Sequence, residues 1–287
     1  MTELPRHVED SAIVLDDVKL VYVPVPKAGS TAMLWALLEL VELERDDFTR
    51  SPKLEVTPSL TIHDTTIWGG KHGLRGRDAR AIFDSDDWLT FTLVRDPLPR
   101  IWSAWVSKIM LRDPRFVAAY GDEEWFPKTP GSAEEIVEAF RRFVAVLVDL
   151  PSDLHDPHWS SQAELLGIGS LTYDVVGRIE DLPAALERVD AHLRAHGQDG
   201  LTPRRENPSL LSFVPEILDR DSWGHCAELT LRDRDVFGYR LPPLSTDDPH
   251  ESWLAEADAR IPAIHAVIER NERIGDLKRL VTRSRAS

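Results

Sequence analysis

Apolar positions along the chain fall into short continuous runs that each end in a polar turn, followed by stretches with helical spacing. Lys19 to Val25 reads as a strand, apolar on both faces as in the interior of a parallel sheet. Pro26 to Thr31 is a turn, and Ala32 to Glu44 carries Leu34, Leu37, Leu38 and Val41 at helical spacing. Trp88 to Val94 repeats the strand pattern and Leu98 to Met110 the helix. The segment from Ser51 to Gly76, rich in proline, threonine and glycine, reads as a surface crossing, with a short helix at Asp78 to Phe83.

Further along, Leu111 to Gly131 reads as a long loop broken by Pro114, Gly121, Pro127 and Pro130, the kind of length that serves as a lid or binding loop. Ser132-Ala-Glu-Glu135 has the spacing of a capping box and opens a helix to about Leu150. Tyr173 to Ile179 is a third strand, Leu182 to Ala195 a helix, Asp221 to Val236 another that stops at Gly238. A final amphipathic helical segment runs from Glu251 to Val281, with a potential interruption at Gly275. Strands alternating with helices predict an α/β fold: a central parallel sheet flanked by helices, with a helical C-terminal extension. The expected division is a domain over 1–240 and an extension over 241–287.

Composition narrows the function. The 287 residues suffice for a large core, and 42% hydrophobic residues with nine tryptophans exclude a disordered chain. Net charge is −15, from 34 basic and 49 acidic residues, so the surface as a whole repels nucleic acid and anionic membranes, and any anionic ligand needs a local basic pocket. Cys226 is the only cysteine, which leaves no intrachain disulfide and no cysteine-based zinc site. No apolar leader core and no run of about 18 apolar residues is present, and the expectation is a cytoplasmic protein with no membrane partner.

Two turns carry the candidate chemistry. The first joins a strand to a helix N-terminus, where free backbone N–H groups and the helix dipole favour an anion. Lys27 adds a positive charge, Gly29 permits close approach of the backbone, and Ser30 and Thr31 add hydroxyls. It is not a nucleotide-triphosphatase loop, since the lysine precedes the glycine instead of preceding the hydroxyl residue. In the second turn Arg95 ends its strand, at the sheet edge where open α/β folds bind ligands, and Ser103 follows two helical turns later. Each alone is also readable as ordinary structure, a capped helix and an Arg95–Asp96 surface pair. Together they suit an anion with two separate phosphate groups.

Taken in order, Pro26-Lys-Ala-Gly-Ser-Thr31 and Val94-Arg-Asp-Pro-Leu-Pro-Arg-Ile-Trp-Ser-Ala-Trp105 resemble the 5′-phosphosulfate loop and the 3′-phosphate segment of the sulfotransferases that use 3′-phosphoadenosine 5′-phosphosulfate (PAPS). Pro157-His-Trp-Ser-Ser-Gln162, Tyr173-Asp-Val-Val-Gly-Arg-Ile-Glu180 and Asp235-Val-Phe-Gly-Tyr239 resemble later blocks of the carbohydrate (family 2) branch, as in a bacterial-type soluble member. The likeness spans roughly residues 18 to 240. It implies that Lys27 neutralises charge on the leaving group, that the amides of Ala28, Gly29, Ser30 and Thr31 and the two hydroxyls hold the 5′-phosphate, and that Arg95 and Ser103 hold the 3′-phosphate. The products would be a sulfated acceptor and 3′-phosphoadenosine 5′-phosphate (PAP), with no metal required.

An alcohol acceptor benefits from a general base. His72, in Trp68-Gly-Gly-Lys-His-Gly73, is the first choice: it follows a glycine pair and lies 23 residues before Arg95, a stretch similar to that of the base histidine in related sugar sulfotransferases. His63 beside Asp64 is the second, His158 a third that would shape the pocket, and Lys71 could assist the sulfonate. The basic loop with Arg204, Arg205, Asn207 and Ser209 resembles the segment that closes over the cofactor, and Arg205 and Asn207 are taken as cofactor contacts. Trp105 stands where the family usually has tyrosine, and the cysteine spacing of secreted relatives is missing, which argues against a luminal enzyme acting on glycan polymers. The expected acceptor is a small neutral or cationic molecule or a sugar, accepting through a hydroxyl ahead of an amine, with Trp68, Trp102, Trp105, Trp125 and Trp159 as candidate stacking surfaces. The competing readings are a P-loop-like nucleoside-phosphate kinase, which needs Mg²⁺ and ATP, a binding protein without turnover, and a scaffold. The C-terminal helix is the candidate homodimer contact.

Overall fold

The structure is a computed structural model, and it describes residues 4–50, 55–204, 209–245 and 251–286. In chain order the principal elements are β1 (Ile13–Leu15), β2 (Leu20–Val23), α1 (Ser30–Leu38), β3 (Leu89–Val94), α2 (Pro97–Trp105), α3 (Pro114–Tyr120), α4 (Ala133–Asp149), β4 (Val175–Arg178), α5 (Leu182–Ala195), α6 (Arg220–Leu229), α7 (Leu231–Phe237) and α8 (Glu251–Ala286). The fold is α/β, and the chain divides into two compact units, 1–53 with 57–95 and 160–207, and 54–56 with 96–159 and 208–287.

The first unit holds the four-stranded sheet, in order β1-β2-β3-β4. β2, β3 and β4 are parallel, with Val23 opposite Thr92 and Val94 opposite Arg178, while β1 adds antiparallel at the edge with Ile13 opposite Tyr22. Every residue of β2 and β3 is buried, as expected for interior parallel strands. Leu20, Tyr22, Phe91 and Leu93 share a core with Met33, Leu34 and Leu37 of α1 and Ala185, Leu186, Val189 and Leu193 of α5. α5 comes very close to the sheet at Gly177, where a Cβ would stand 2.4 Å from that of Ala185. Asp174 ties β4 to β3 by accepting from the Thr90 N–H at 2.9 Å and its hydroxyl at 3.0 Å.

The second unit is helical. α2 opens with Asp96, whose carboxylate accepts from the Leu98 N–H at 3.0 Å, and with Pro97 in its first turn. It then widens into a π-helical turn over Val106–Met110. The predicted loop from 111 to 131 contains α3, capped by Asp113 through the Arg115 N–H at 3.1 Å. At α4 the Ser132 hydroxyl accepts from the Glu135 N–H at 3.3 Å, and the Glu135 carboxylate accepts from the Gly131 N–H at 2.7 Å, one residue before the predicted box partner. Trp102 and Trp105 meet Phe140 of α4, with ring centroids 4.9 and 5.3 Å apart, at the centre of this core.

Where one helix is predicted over 221–236, α6 and α7 meet at Thr230, whose hydroxyl donates to the Cys226 carbonyl at 2.6 Å. α8 is a single 36-residue helix that continues through Pro262 and past Gly275. It packs on α4 and α3 and is fastened by Asn271 Nδ2 to the Leu111 carbonyl at 2.7 Å and by His265 Nε2 at 2.7 Å from the Pro130 carbonyl. Among the described residues, no helix is long and apolar enough to cross a membrane.

Candidate functional site

Parallel pairing of β2 with β3 sends the chain out of both strands at the same edge of the sheet, so the two turns singled out above leave side by side. After β2 the Ala28 N–H closes a turn on the Val25 carbonyl at 3.2 Å. Lys27 and Gly29 both take left-handed backbone, with φ of 68° and 79°. This bend lets α1 start at Ser30, and its first bond runs from the Met33 N–H to the Gly29 carbonyl at 3.0 Å. The N–H groups of Ser30, Thr31 and Ala32 therefore stand outside the helical ladder at the positive end of the helix dipole. A Cβ on Gly29 would fall 2.7 Å from Ile179 Cδ1, so the cradle is tight and its floor is apolar.

Arg95 stands half-buried one residue past β3. Its guanidinium Nη1 donates to the Lys27 carbonyl at 3.2 Å, which brings the predicted 5′ and 3′ phosphate residues of this unit into one hydrogen-bonded group. Its backbone is held by Gln162: the Arg95 N–H donates to Oε1 at 2.9 Å, and Nε2 donates to the Arg95 carbonyl at 2.8 Å. Gln162 is fully buried.

Of the candidate histidines in this unit, His63 is exposed and its Nε2 lies 3.0 Å from Thr31 Oγ1, at the mouth of the loop. His72 is half-buried and its backbone extends the sheet edge, bridging antiparallel to Ile13, with the neighbouring Gly73 N–H donating to the Ala12 carbonyl at 2.8 Å. Lys71 lies within electrostatic reach of Asp16, whose carboxyl is held below the ordinary range chiefly by hydrogen bonds from Arg77 at 2.8 and 2.9 Å.

In the second unit, Ser103 is buried on α2. The nearby Arg100, for which the sequence suggests no role, is also buried and donates to the Pro157 carbonyl at 2.8 Å. His158 sits in a polar cluster with Nδ1 2.6 Å from Asp156 Oδ1, while Arg115 donates to Oδ2 at 2.7 Å. Burial raises the Asp156 carboxyl, but the hydrogen bonds and charge of His158, with the charge of Arg115, outweigh it and hold the group below its usual value. The His158 ring stands edge-on to Phe116, with centroids 5.5 Å apart.

Trp68, Trp102, Trp105 and Trp159 are buried in the two cores, and Trp125 is half-buried among Tyr120, Phe126 and Phe143. Arg204 is exposed, the Ser209 hydroxyl donates to the Leu211 carbonyl at 2.7 Å, and Arg205 and Asn207 lie outside the described residues. Gln162 and Ile179 are the site-building residues whose roles the sequence does not reveal, because nothing local marks an amide that reaches back 67 residues to Arg95 or an isoleucine that faces a glycine.

The group can hold anions: an αL bend, three unladdered amides, a lysine and an arginine converge at one sheet edge. A family model described as the Sulfotransferase family matches residues 10–210. Carbohydrate sulfotransferase 10 of Danio rerio is 26% identical over 196 residues, covering 63% of this chain and 52% of that protein. The protein of the same name from Pongo abelii is 28% identical over 200 residues, with coverage of 63% and 52%. The chain spans about half the length of these curated relatives. No solved structure matches it significantly.

Proposed function

The chain belongs to the Sulfotransferase family, and from that premise we propose that it moves the sulfonate group of PAPS to a hydroxyl of a sugar or other small neutral acceptor. The observation that carries this reading is the 3.2 Å bond from Arg95 to the Lys27 carbonyl, which joins two basic turns of the kind a nucleotide with two phosphate groups needs. The residues fit such a donor. The tight Gly29 cradle and the amides of Ser30, Thr31 and Ala32 suit the 5′-phosphate, with the Ser30 and Thr31 hydroxyls beside them. The Arg95 guanidinium suits the 3′-phosphate through charge-assisted bonds, and Ser103 is proposed as its second contact. Arg205 and Asn207 remain proposed cofactor contacts from the sequence alone.

PAPS, when bound, supplies an activated sulfonate whose leaving group is a phosphate. Lys27 would direct its ammonium toward the leaving group, where negative charge would grow during transfer, so its contribution would be greatest in the transition state. A histidine takes the proton of the acceptor hydroxyl as that oxygen attacks in line. We retain His72 as the proposed base. His63, within reach of Thr31, is the alternative that the geometry keeps in play. The acceptor is proposed to be carbohydrate-like, in keeping with the names of the relatives. We also propose that residues 1–240 form the transferase domain and 241–287 a helical extension of it.

The test is transfer of labelled sulfonate from PAPS to a panel of sugars and small alcohols without added metal. Labelled product with the unaltered chain, and its loss in Lys27→Ala, supports the proposal. No transfer to any acceptor, with retained binding of PAP, would favour a binding protein without turnover.

A further inference from the structure

β3 ends at Val94, so the N–H and C=O of Arg95 lie beyond the last strand pair, Val94 with Arg178. Backbone groups at such a place cost stability unless both find partners. Gln162 supplies both, its oxygen to the N–H at 2.9 Å and its nitrogen to the carbonyl at 2.8 Å. One fully buried amide side chain thus acts as a surrogate strand for a single residue. Only one orientation of the amide meets both partners, so the clasp fixes the backbone on both sides of the Cα from which the Arg95 side chain departs. That side chain ends on the Lys27 carbonyl, within the loop at Gly29.

We propose that Gln162 is a positioning residue for donor binding: by clasping the backbone of Arg95 it aims the guanidinium at the 3′-phosphate. This inference rests on the sulfotransferase reading of the site. A group that only stabilised the unit would affect every nucleotide alike. A group that aims Arg95 affects only nucleotides that carry a 3′-phosphate.

The experiment is titration calorimetry of the full chain with PAP and with adenosine 5′-monophosphate, which lacks the 3′-phosphate. The proteins are the unaltered chain, Gln162→Glu, which keeps the acceptor but loses the donor, and Gln162→Met, which keeps volume alone. Melting curves identify variants that fold, and either variant suffices. The expected result is an unchanged affinity for the monophosphate and a loss of about tenfold for PAP, the order of one charge-assisted hydrogen bond. Arg95→Ala added to either variant should then weaken PAP by less than it does in the unaltered chain. An unchanged preference for PAP over the monophosphate, or an equal loss for both, overturns the inference. If the unaltered chain itself shows no preference for PAP, the 3′-phosphate reading of Arg95 fails first and the role of Gln162 falls with it.

Discussion

Ile179 fills the space into which a side chain on Gly29 would have to grow, its Cδ1 only 2.7 Å from an ideal Cβ there. Gly29 also holds φ at 79°, a conformation other residues adopt only with strain. Gly29→Ala is therefore expected to cost about 1–2 kcal/mol of stability, chiefly from backbone strain with a smaller packing part as the Ile179 methyl shifts. Relief by Ile179→Ala should recover only the packing part. Chemical denaturation of the two single variants and the double variant measures the split, and full recovery in the double variant would show that the backbone conformation is not strained.

Lys27 and Arg95 share a hydrogen bond but should fail differently. Arg95→Ala is expected to weaken PAP binding by about 1.5–3 kcal/mol, the range for a hydrogen bond to a charged group. Lys27→Ala should fall mainly on kcat, because its contact strengthens as the leaving group gains charge. Steady-state kinetics beside equilibrium titration separates the two. A Lys27→Ala enzyme with normal kcat would remove the lysine from the chemistry.

A histidine base gives a rate that rises with pH as the imidazole loses its proton. His72→Ala is expected to lose that limb and most of the rate, while His63→Ala keeps the limb and changes donor affinity through Thr31. If the limb disappears in His63→Ala and survives in His72→Ala, the assignments exchange.

Asp156 offers a test of the second unit by acid stability. Its folded carboxyl titrates below its ordinary value, so its bonds to His158 and Arg115 stabilise the fold above the unfolded-state value and are lost as pH falls through the folded one. Asp156→Asn should thus destabilise by roughly 1.5–3 kcal/mol at neutral pH, with a gap that narrows toward the acid end of the carboxylate range. A gap that is constant with pH would show that the charge contributes nothing.

The strand–loop–helix units were legible because their signals are local. β2 and β3 are continuous apolar runs, and α5 runs from Leu182 to Ala195 as its spacing predicts. β1 is not legible in the sequence, since three residues carry no periodicity and pairing with β2 makes them a strand. α3 is hidden in the sequence because Pro114 and Gly121 look like breakers, whereas Asp113 followed by proline is a helix start. Gly275 suggests a break in α8, yet the helix runs through it, and an ideal Cβ there would meet Pro114 at 3.4 Å, an ordinary contact. The loop chemistry of Lys27, Gly29 and Arg95 was visible in residue types. The clasp by Gln162 and the contact of His63 with Thr31 were not, since both depend on which distant segments the sheet edge brings together.

The most direct measurement is calorimetric titration of the chain with PAP in the absence of metal, against ATP with Mg²⁺, with Arg95→Ala as control. Tight metal-free binding of PAP that Arg95→Ala weakens about tenfold or more is the expected result. Binding of ATP with Mg²⁺ and none of PAP would contradict the sulfotransferase pocket and put a kinase-like site in its place.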